Sequence, residues 1–396
     1  MGKLCLILKS KPVNLLFGIL VSFPLLSYSQ DTISKNWAFN GYIGDMQSFM
    51  FQRWEGNWTL DNLIHNRLNF KWHTTSNFLA VTIEAQNRFI SGESVETIHD
   101  YAKSIDTDDG FFKLSGNIAT GNSFVLNSKI DRAYIDFTNN KLQIRAGRQR
   151  INWGHCFTWN PNDLFNAYSF YNFDYIEKPG SDAIRLQYYS TSTSGFEFAT
   201  KVTKDHKITS AALYRFNKWN YDIQFLGGLY NEGDYVIGTG WSGNIKGAGF
   251  RGEISYFQPK EHFADTTGIV IMSLGTDYTF KNSFNLMFEG LYNQNKSSGI
   301  SNFGDFYNMN LSAKNLSFTK FSIMIQGSYP LTPLLNVSLS GMYFPKLNGY
   351  FISPSLTYSI TNNIEFLILA QSFGGEISAG QMSYFHFVFL RLKWNF

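Results

Sequence analysis

The 396-residue chain holds two cysteines and nine prolines, and beyond residue 30 it has no apolar run long enough for a membrane helix. Cys5 lies ahead of an apolar stretch near the N-terminus, which leaves Cys156 as the one cysteine in the body of the chain. A single thiol excludes an internal disulfide and a cysteine-rich metal site, so packing is its expected role. Charge of one sign is missing as well. The formal net charge is +3, but residues 1–29 carry three lysines and no acid, and without them 30 Lys and Arg stand against 30 Asp and Glu. A neutral body lacks the basic footprint that nucleic acid requires. Walker loops, zinc spacings and EF-hand ligand sets are absent, and the Asn231-Glu232-Gly233-Asp234 turn has too few ligands for calcium. No metal and no cofactor is expected.

Residues 1–29 read as a signal peptide. Lys3, Lys9 and Lys11 form its positive region, residues 15–26 its apolar core, and Ser27-Tyr28-Ser29 its cleavage site ahead of Gln30. The core is too short to span a bilayer, which takes ~20 apolar residues. The chain is therefore expected to be exported, with residues 30–396 as one domain.

What the chain does have is 17% aromatic residues, 33 glycines and alternation of polar with apolar residues nearly throughout. Only helices and closed barrels can span a membrane, because lipid leaves open backbone groups unsatisfied. Alternating segments of ~10 residues in an exported chain fit an outer-membrane barrel. Period-2 patterns and turn signals place strands near 37–49, 62–72, 77–90, 125–137, 142–152, 181–190, 195–203, 208–217 and 218–230. The second half adds 233–243, 247–258, 267–280, 284–295, 317–329, 334–345, 348–360, 363–374 and 383–396. With the N-terminus in the periplasm, every connection on the periplasmic side is tight, from His73–Ser76 to Thr361–Asn363. The long ones, 50–61, 91–124, 153–182, 259–266, 296–316 and 374–382, fall on the other. A soluble sandwich or propeller has no reason to sort its loops this way. The expectation is an all-β, antiparallel transmembrane barrel of about 18 strands (16–20), with its third extracellular loop folded inward.

That loop follows the strand Leu142-Gln143-Ile144-Arg145-Ala146-Gly147-Arg148-Gln149 and ends at Pro179-Gly180. A connection of this length is usually functional. Trp153 and Trp159, with Asp163, Asp174 and Glu177, are the expected constriction residues. The aromatics fit either packing against the wall or a stacking slide for solutes. Arg67, Arg88, Arg132, Arg145, Arg148 and Arg185 fall on the charged faces of strands two to six, or at their ends. Charge on the lipid face costs ~2–4 kcal/mol at mid-membrane, so these faces should line the pore. An arginine wall facing an acidic loop would set a transverse field across the narrowest point. The same residues could instead pair to hold wall and loop together.

Arg145-Ala146-Gly147-Arg148-Gln149, then Trp153-Gly154 and Asn160-Pro161-Asn162-Asp163, resembles a poorly characterised group of porin-like Gram-negative outer-membrane barrels over residues 142–190. The last strand, with Trp394 and Phe396 on one face, resembles the C-terminal signal read by the barrel assembly machinery. The resemblance implies a barrel of porin type in outer-membrane lipid and assigns no solute.

The expected function is passive diffusion of small hydrophilic solutes, with weak anion preference. The alternative is a non-conducting barrel subunit of a secretion, assembly or surface-glycan complex, with loops 91–124 and 296–316 as docking sites; homo-oligomerisation is open in either case. A barrel hydrolase ranks below both. Only His99-Asp100 and His155 near Asp163 stand by acids on the loop side, and neither lies in a nucleophile motif. No catalytic residue is expected.

Overall fold

In a computed structural model, residues 36–167, 178–261, 263–294, 312–378 and 381–396 are described. The expected signal peptide lies outside them, as do Asp174, Glu177 and residues 296–311 of the long connection 296–316. The first third of the chain forms β1 (Trp37–Phe51), β2 (Trp58–His73), β3 (Leu79–Gly92), β4 (Ser115–Thr120), β5 (Phe124–Asn139) and β6 (Leu142–Gln149). Then come β7 (Ser181–Tyr189), β8 (Gly195–Val202), β9 (Ile208–Lys218), β10 (Tyr221–Tyr230), β11 (Asp234–Ile245), β12 (Ala248–Pro259) and β13 (Ile269–Thr279). The last are β14 (Asn285–Asn293), β15 (Phe321–Thr332), β16 (Leu335–Phe344), β17 (Gly349–Ser359), β18 (Ile364–Ser378) and β19 (Gln381–Asn395).

Every strand but β4 belongs to one antiparallel ring in chain order, and β19 pairs back onto β1 from Tyr42–Asn395 to Phe51–His386. The product is a closed barrel of eighteen strands, in which each ring strand pairs with a neighbour on both sides. Each of the eighteen expected strands is present. At one rim, the turn end, every connection is short. The long ones all lie at the other, the loop end, beside short links such as β10–β11 and β18–β19. The latter stands in place of the expected long connection 374–382, because β18 runs on to Ser378 and β19 starts at Gln381. At the turn end Phe396 exchanges backbone hydrogen bonds of 3.0 Å with Gly41, and its ring lies 5.4 Å from that of Trp394.

Alternation sorts the side chains. Phe70, Ile83, Ile135, Ile184, Phe288 and Ile325 point outward and are exposed, whereas Arg67, Gln86, Glu197, Glu253 and Glu289 point inward and are buried. The pattern predicts a polar interior, and the structure departs from it in the loop-side half. There two apolar clusters of buried residues form inside the wall. One gathers inward residues Met46, Leu63, Ile90, Leu367 and Phe389 around Val95 of the short helix α1 (Glu93–Thr97). The other joins Ile151, Trp153, Trp159, Leu164 and Phe165 of the inward loop to Leu213, Phe257, Ile271, Met324, Phe344 and the 313–318 segment. Charged residues reveal which face is inward, but an inward apolar residue gives no local sign that a distant loop will cover it.

The wall itself has a notch. β6 pairs with β5 only as far as Arg148–Ala133, after which the chain turns into the barrel. β4, which the sequence did not suggest, takes the vacated edge of β5 from Val125 to Lys129. The segment before it runs on across the notch to a bridge between Gly110 and Thr203 at the end of β8.

Gly147, the residue before the turn inward, has φ +121°. A Cβ there would sit 2.2 Å from the Ala133 carbonyl oxygen and 2.9 Å from the Tyr134 Cα. Gly147→Ala is expected to cost more than the ~1–2 kcal/mol of an ordinary left-handed residue. The readout is the yield and thermal midpoint of heat-modifiable barrel, both of which should fall.

Candidate functional site

The inward loop must find partners for backbone groups that leave the sheet inside a barrel. Two wall carboxylates supply most of them. Glu253 on β12 accepts from the backbone N–H groups of His155, Cys156 (2.9 Å) and Asn162 (2.9 Å). Glu289 on β14 accepts from those of Phe157 (2.9 Å), Thr158 (3.1 Å) and Trp159 (2.7 Å), and from the Ser273 hydroxyl (3.2 Å). Both carboxylates are fully buried. A third, Glu197 on β8, accepts from Trp153 Nε1 at 2.6 Å and from Arg185, Gln187 and Arg215. Asn162 locks the turn by donating to the Thr239 carbonyl (3.0 Å) and accepting from the Ser255 hydroxyl (2.8 Å). The loop therefore lies along the wall from β8 to β15.

This placement decides between the two uses of its aromatics. Trp153, Trp159 and Phe165 are buried in the loop–wall core, and Phe157 alone of the described set is exposed, with Arg251 3.8 Å over its ring. Residues 168–177, which hold the remaining loop aromatics, lie outside the described residues. Cys156 is buried against the Ser273 carbonyl, and burial pushes its thiol pKa up.

The six expected pore arginines occupy different settings. Arg67 is buried between Asp131 (2.5 Å) and Glu84 (2.7 Å). A bulge at Asp131 lets that residue and Arg132 both face inward, and Arg132 donates to the Lys178 carbonyl. Arg88 faces inward with Gln86 and is partly exposed. Arg145 pairs with Asp136 and stacks 4.4 Å over Tyr134. Arg185 pairs with Glu197 at 2.6 Å.

Arg148 differs. Its register partners Ala133 and Asp182 share the outward face with Ile135 and Ile184, so it points away from the lumen. The segment across the notch covers it. Its guanidinium donates to Asp182 (2.7 and 2.9 Å), Asp108 (2.7 Å), and the carbonyls of Phe112 (2.6 Å) and Ile130 (3.4 Å). Gly110 lies so close that a Cβ would come within 1.9 Å of Nη2. Burial raises the Asp108 pKa, but Arg148 and two backbone N–H groups outweigh it and hold the carboxyl below its usual range. Arg148 is a strap anchor by position.

Asp163, the described acid of the expected constriction, is buried 2.9 Å from Arg150. Burial pushes it up to about 6 against the pull of Arg150, Lys178 and Lys201. Its charge is thus spent within the loop. His155 lies with Arg215, Asp222 and Gln224, and burial lowers its pKa. His99 meets Asp100 at 3.2 Å in an exposed pair.

The features that sequence reasoning missed are the anchoring roles of Glu253 and Glu289 and the inward fold of residues 313–318. Two inward carboxylates at neighbouring depths with no cation in register were the available sign for the first.

No family model matches the chain, and no curated protein matches it. Solved structures do. OccAB1 of Acinetobacter baumannii is 11% identical with a TM-score of 0.55, over 90% of this chain and 96% of that one. OpdL of Pseudomonas aeruginosa is 8% identical with a TM-score of 0.58, over 91% and 99%. OprD of Pseudomonas aeruginosa is 9% identical with a TM-score of 0.55, over 91% and 95%. At such identities the likeness establishes the fold.

Glu253→Gln replaces a carboxylate that accepts three backbone N–H groups with an amide that has one acceptor oxygen. Charge-assisted bonds contribute ~1.5–3 kcal/mol each, so a loss of about 2–4 kcal/mol of loop anchoring is expected. Limited proteolysis within residues 150–167 of the folded barrel should rise accordingly. Asp163→Asn tests the buried acid. A carboxyl whose folded pKa lies above its unfolded value stabilises fully below pH ~4 and loses that contribution as pH rises through about 6. The thermal midpoint of the native chain should therefore decline across that window, and the Asn variant should show a flatter profile.

Proposed function

We propose that the chain is an outer-membrane channel for passive diffusion of small hydrophilic solutes, with a weak preference for anions. The barrels it resembles are outer-membrane porins of the Occ and OprD type. The observation that carries the reading is how the inward ion pairs are arranged. On β6 to β9 the cation is the more exposed partner: Arg145 over Asp136, Arg185 over Glu197, and Arg215, 48% exposed, over the buried Glu197. On β2, β3 and β18 the order reverses, with Glu84 and Glu365 more exposed than Arg67 and Arg391. β9 and β18 stand half-way round the ring from each other. Arg215 and Glu365 thus face across the turn-end lumen from opposite walls, and an aqueous path between them lies in a transverse field. Between these sectors β15 to β17 present Ser328, Ser338, Ser340 and Ser355, small and uncharged. The field's source differs from the acidic loop expected from sequence, because Asp163 is neutralised inside the loop.

The two apolar clusters in the loop-side half favour a second reading, a barrel that does not conduct and serves as a subunit of a larger outer-membrane complex. Single-channel recording of the refolded chain under a salt gradient separates the two. Open steps with an anion-leaning reversal potential, reduced by Arg145→Ala and Arg215→Ala, are expected. Open steps unmoved by those changes would keep the channel and remove the selectivity. Absence of conductance from a heat-modifiable barrel would favour the subunit.

A further inference from the structure

The outward face of the barrel is apolar almost everywhere. On β5 to β19, among the described residues, no carboxylate, carboxamide, lysine or arginine points outward between the aromatic rims except Arg148 and Asp182, which the strap covers. β1 to β3 break this rule. Register places Asp45 opposite Ile64, Gln47 opposite Asn62, Asn62 opposite Ser91, and Asn66 opposite Asn87, all on the outward face. None of the five is buried. They are linked by hydrogen bonds from Asn62 Nδ2 to Asp45 Oδ1 (2.6 Å) and from Asn87 Nδ2 to Asn66 Oδ1 (2.8 Å).

Their depth gives the observation its force. Phe39 and Phe70 mark the turn-end rim on β1 and β2, and Phe49 and Trp58, with ring centroids 6.4 Å apart, mark the loop-end rim. Asp45 lies six residues above Phe39 and four below Phe49; Asn62 and Asn66 lie four from Trp58 and Phe70. A carboxylate and four carboxamides thus stand in the hydrocarbon band, where each polar group without a partner costs several kcal/mol. With the long contact of 3.5 Å from Asn62 Nδ2 to the Met46 carbonyl, the described hydrogen bonds of the five number three, too few for four amides and a carboxylate.

We propose that the outward face of β1 to β3 is the surface on which a second copy of this chain packs side by side in the membrane. Three points select that occupant. A rotation about the membrane normal preserves depth, so Asp45 meets on the second copy what stands at its own level, and the amides of Gln47, Asn62 and Asn66 can donate to it. Carboxamides both donate and accept, which makes the patch complementary to itself. The patch carries no cation, so it does not suit a lipid phosphate. The area is sufficient too. Five strands from β19 to β5, ~4.8 Å apart over a ~25 Å band, project on the order of 600 Å². Side-chain relief brings this toward the ~800 Å² per partner of a stable interface. The inference rests on the membrane reading above but not on conduction, and recovery in the membrane fraction tests that reading separately.

The experiment places a photo-crosslinking residue at Asn66, and at Leu274 on the far wall as control, in the full chain in its membrane. An adduct of twice the chain's mass from position 66, at least tenfold above that from 274, is expected. Light scattering of the unmodified protein in mild detergent should show an oligomer. The combined variant Asp45→Leu, Asn62→Leu, Asn66→Leu and Asn87→Leu should give a monomer that remains heat-modifiable. An adduct of any other mass overturns the second copy as occupant. A monomeric native chain without adducts overturns the interface.

Discussion

A peptide segment that leaves the sheet inside a barrel must find hydrogen-bond acceptors for its amides, and here the wall provides them as carboxylates. Glu289 gathers the three consecutive N–H groups of residues 157–159, and Glu253 gathers those of 155 and 156 together with that of Asn162, where the loop turns back. Two fixed oxygens can converge on such a fan of donors where a single carbonyl cannot. The remainder of the site follows from that grip. With its backbone held against β12 and β14, the loop turns Trp153, Trp159 and Phe165 into the wall rather than toward solute, and its acid, Asp163, is sealed in with Arg150. The lumen's charge is then set by the wall, from Arg145 and Arg215 on one side to Glu365 on the other.

Much of the architecture was legible in the sequence because a barrel repeats one local rule. Each strand must alternate, and each turn must be tight at one end, so eighteen weak signals agree. Arg67, Arg145 and Arg185 were assigned to the inward face by the same rule. Arg148 shows its limit. It sits three residues after Arg145, on the opposite parity, and only the strand pairing with Ala133 and Asp182 reveals which side it faces. β4 was illegible for a different reason: its partner edge exists only because β6 departs, an event that the residues of β4 do not encode. The apolar filling of the loop-side half was likewise invisible, since Met46, Leu63 and Phe389 look like any residue of an amphipathic strand.

The two faces of the wall carry opposite exceptions. Inside, apolar residues gather where polar ones are the norm, because loops come down to cover them. Outside, Asp45 and its neighbouring amides stand where apolar ones are the norm. The inner exception is covered by the chain's own loops, and the outer one is the patch from which the packing of a second copy is inferred.

The strap over the notch ties together stretches of chain that lie far apart in sequence. β4 takes the stretch of β5 edge that is left free where the chain beyond Gln149 swings inward, and Arg148 joins Asp108 and the Phe112 carbonyl of the strap to Asp182 of β7. The strap thereby patches a seam: without it, the wall between β5 and β8 would stand open where the chain beyond Gln149 has gone inside.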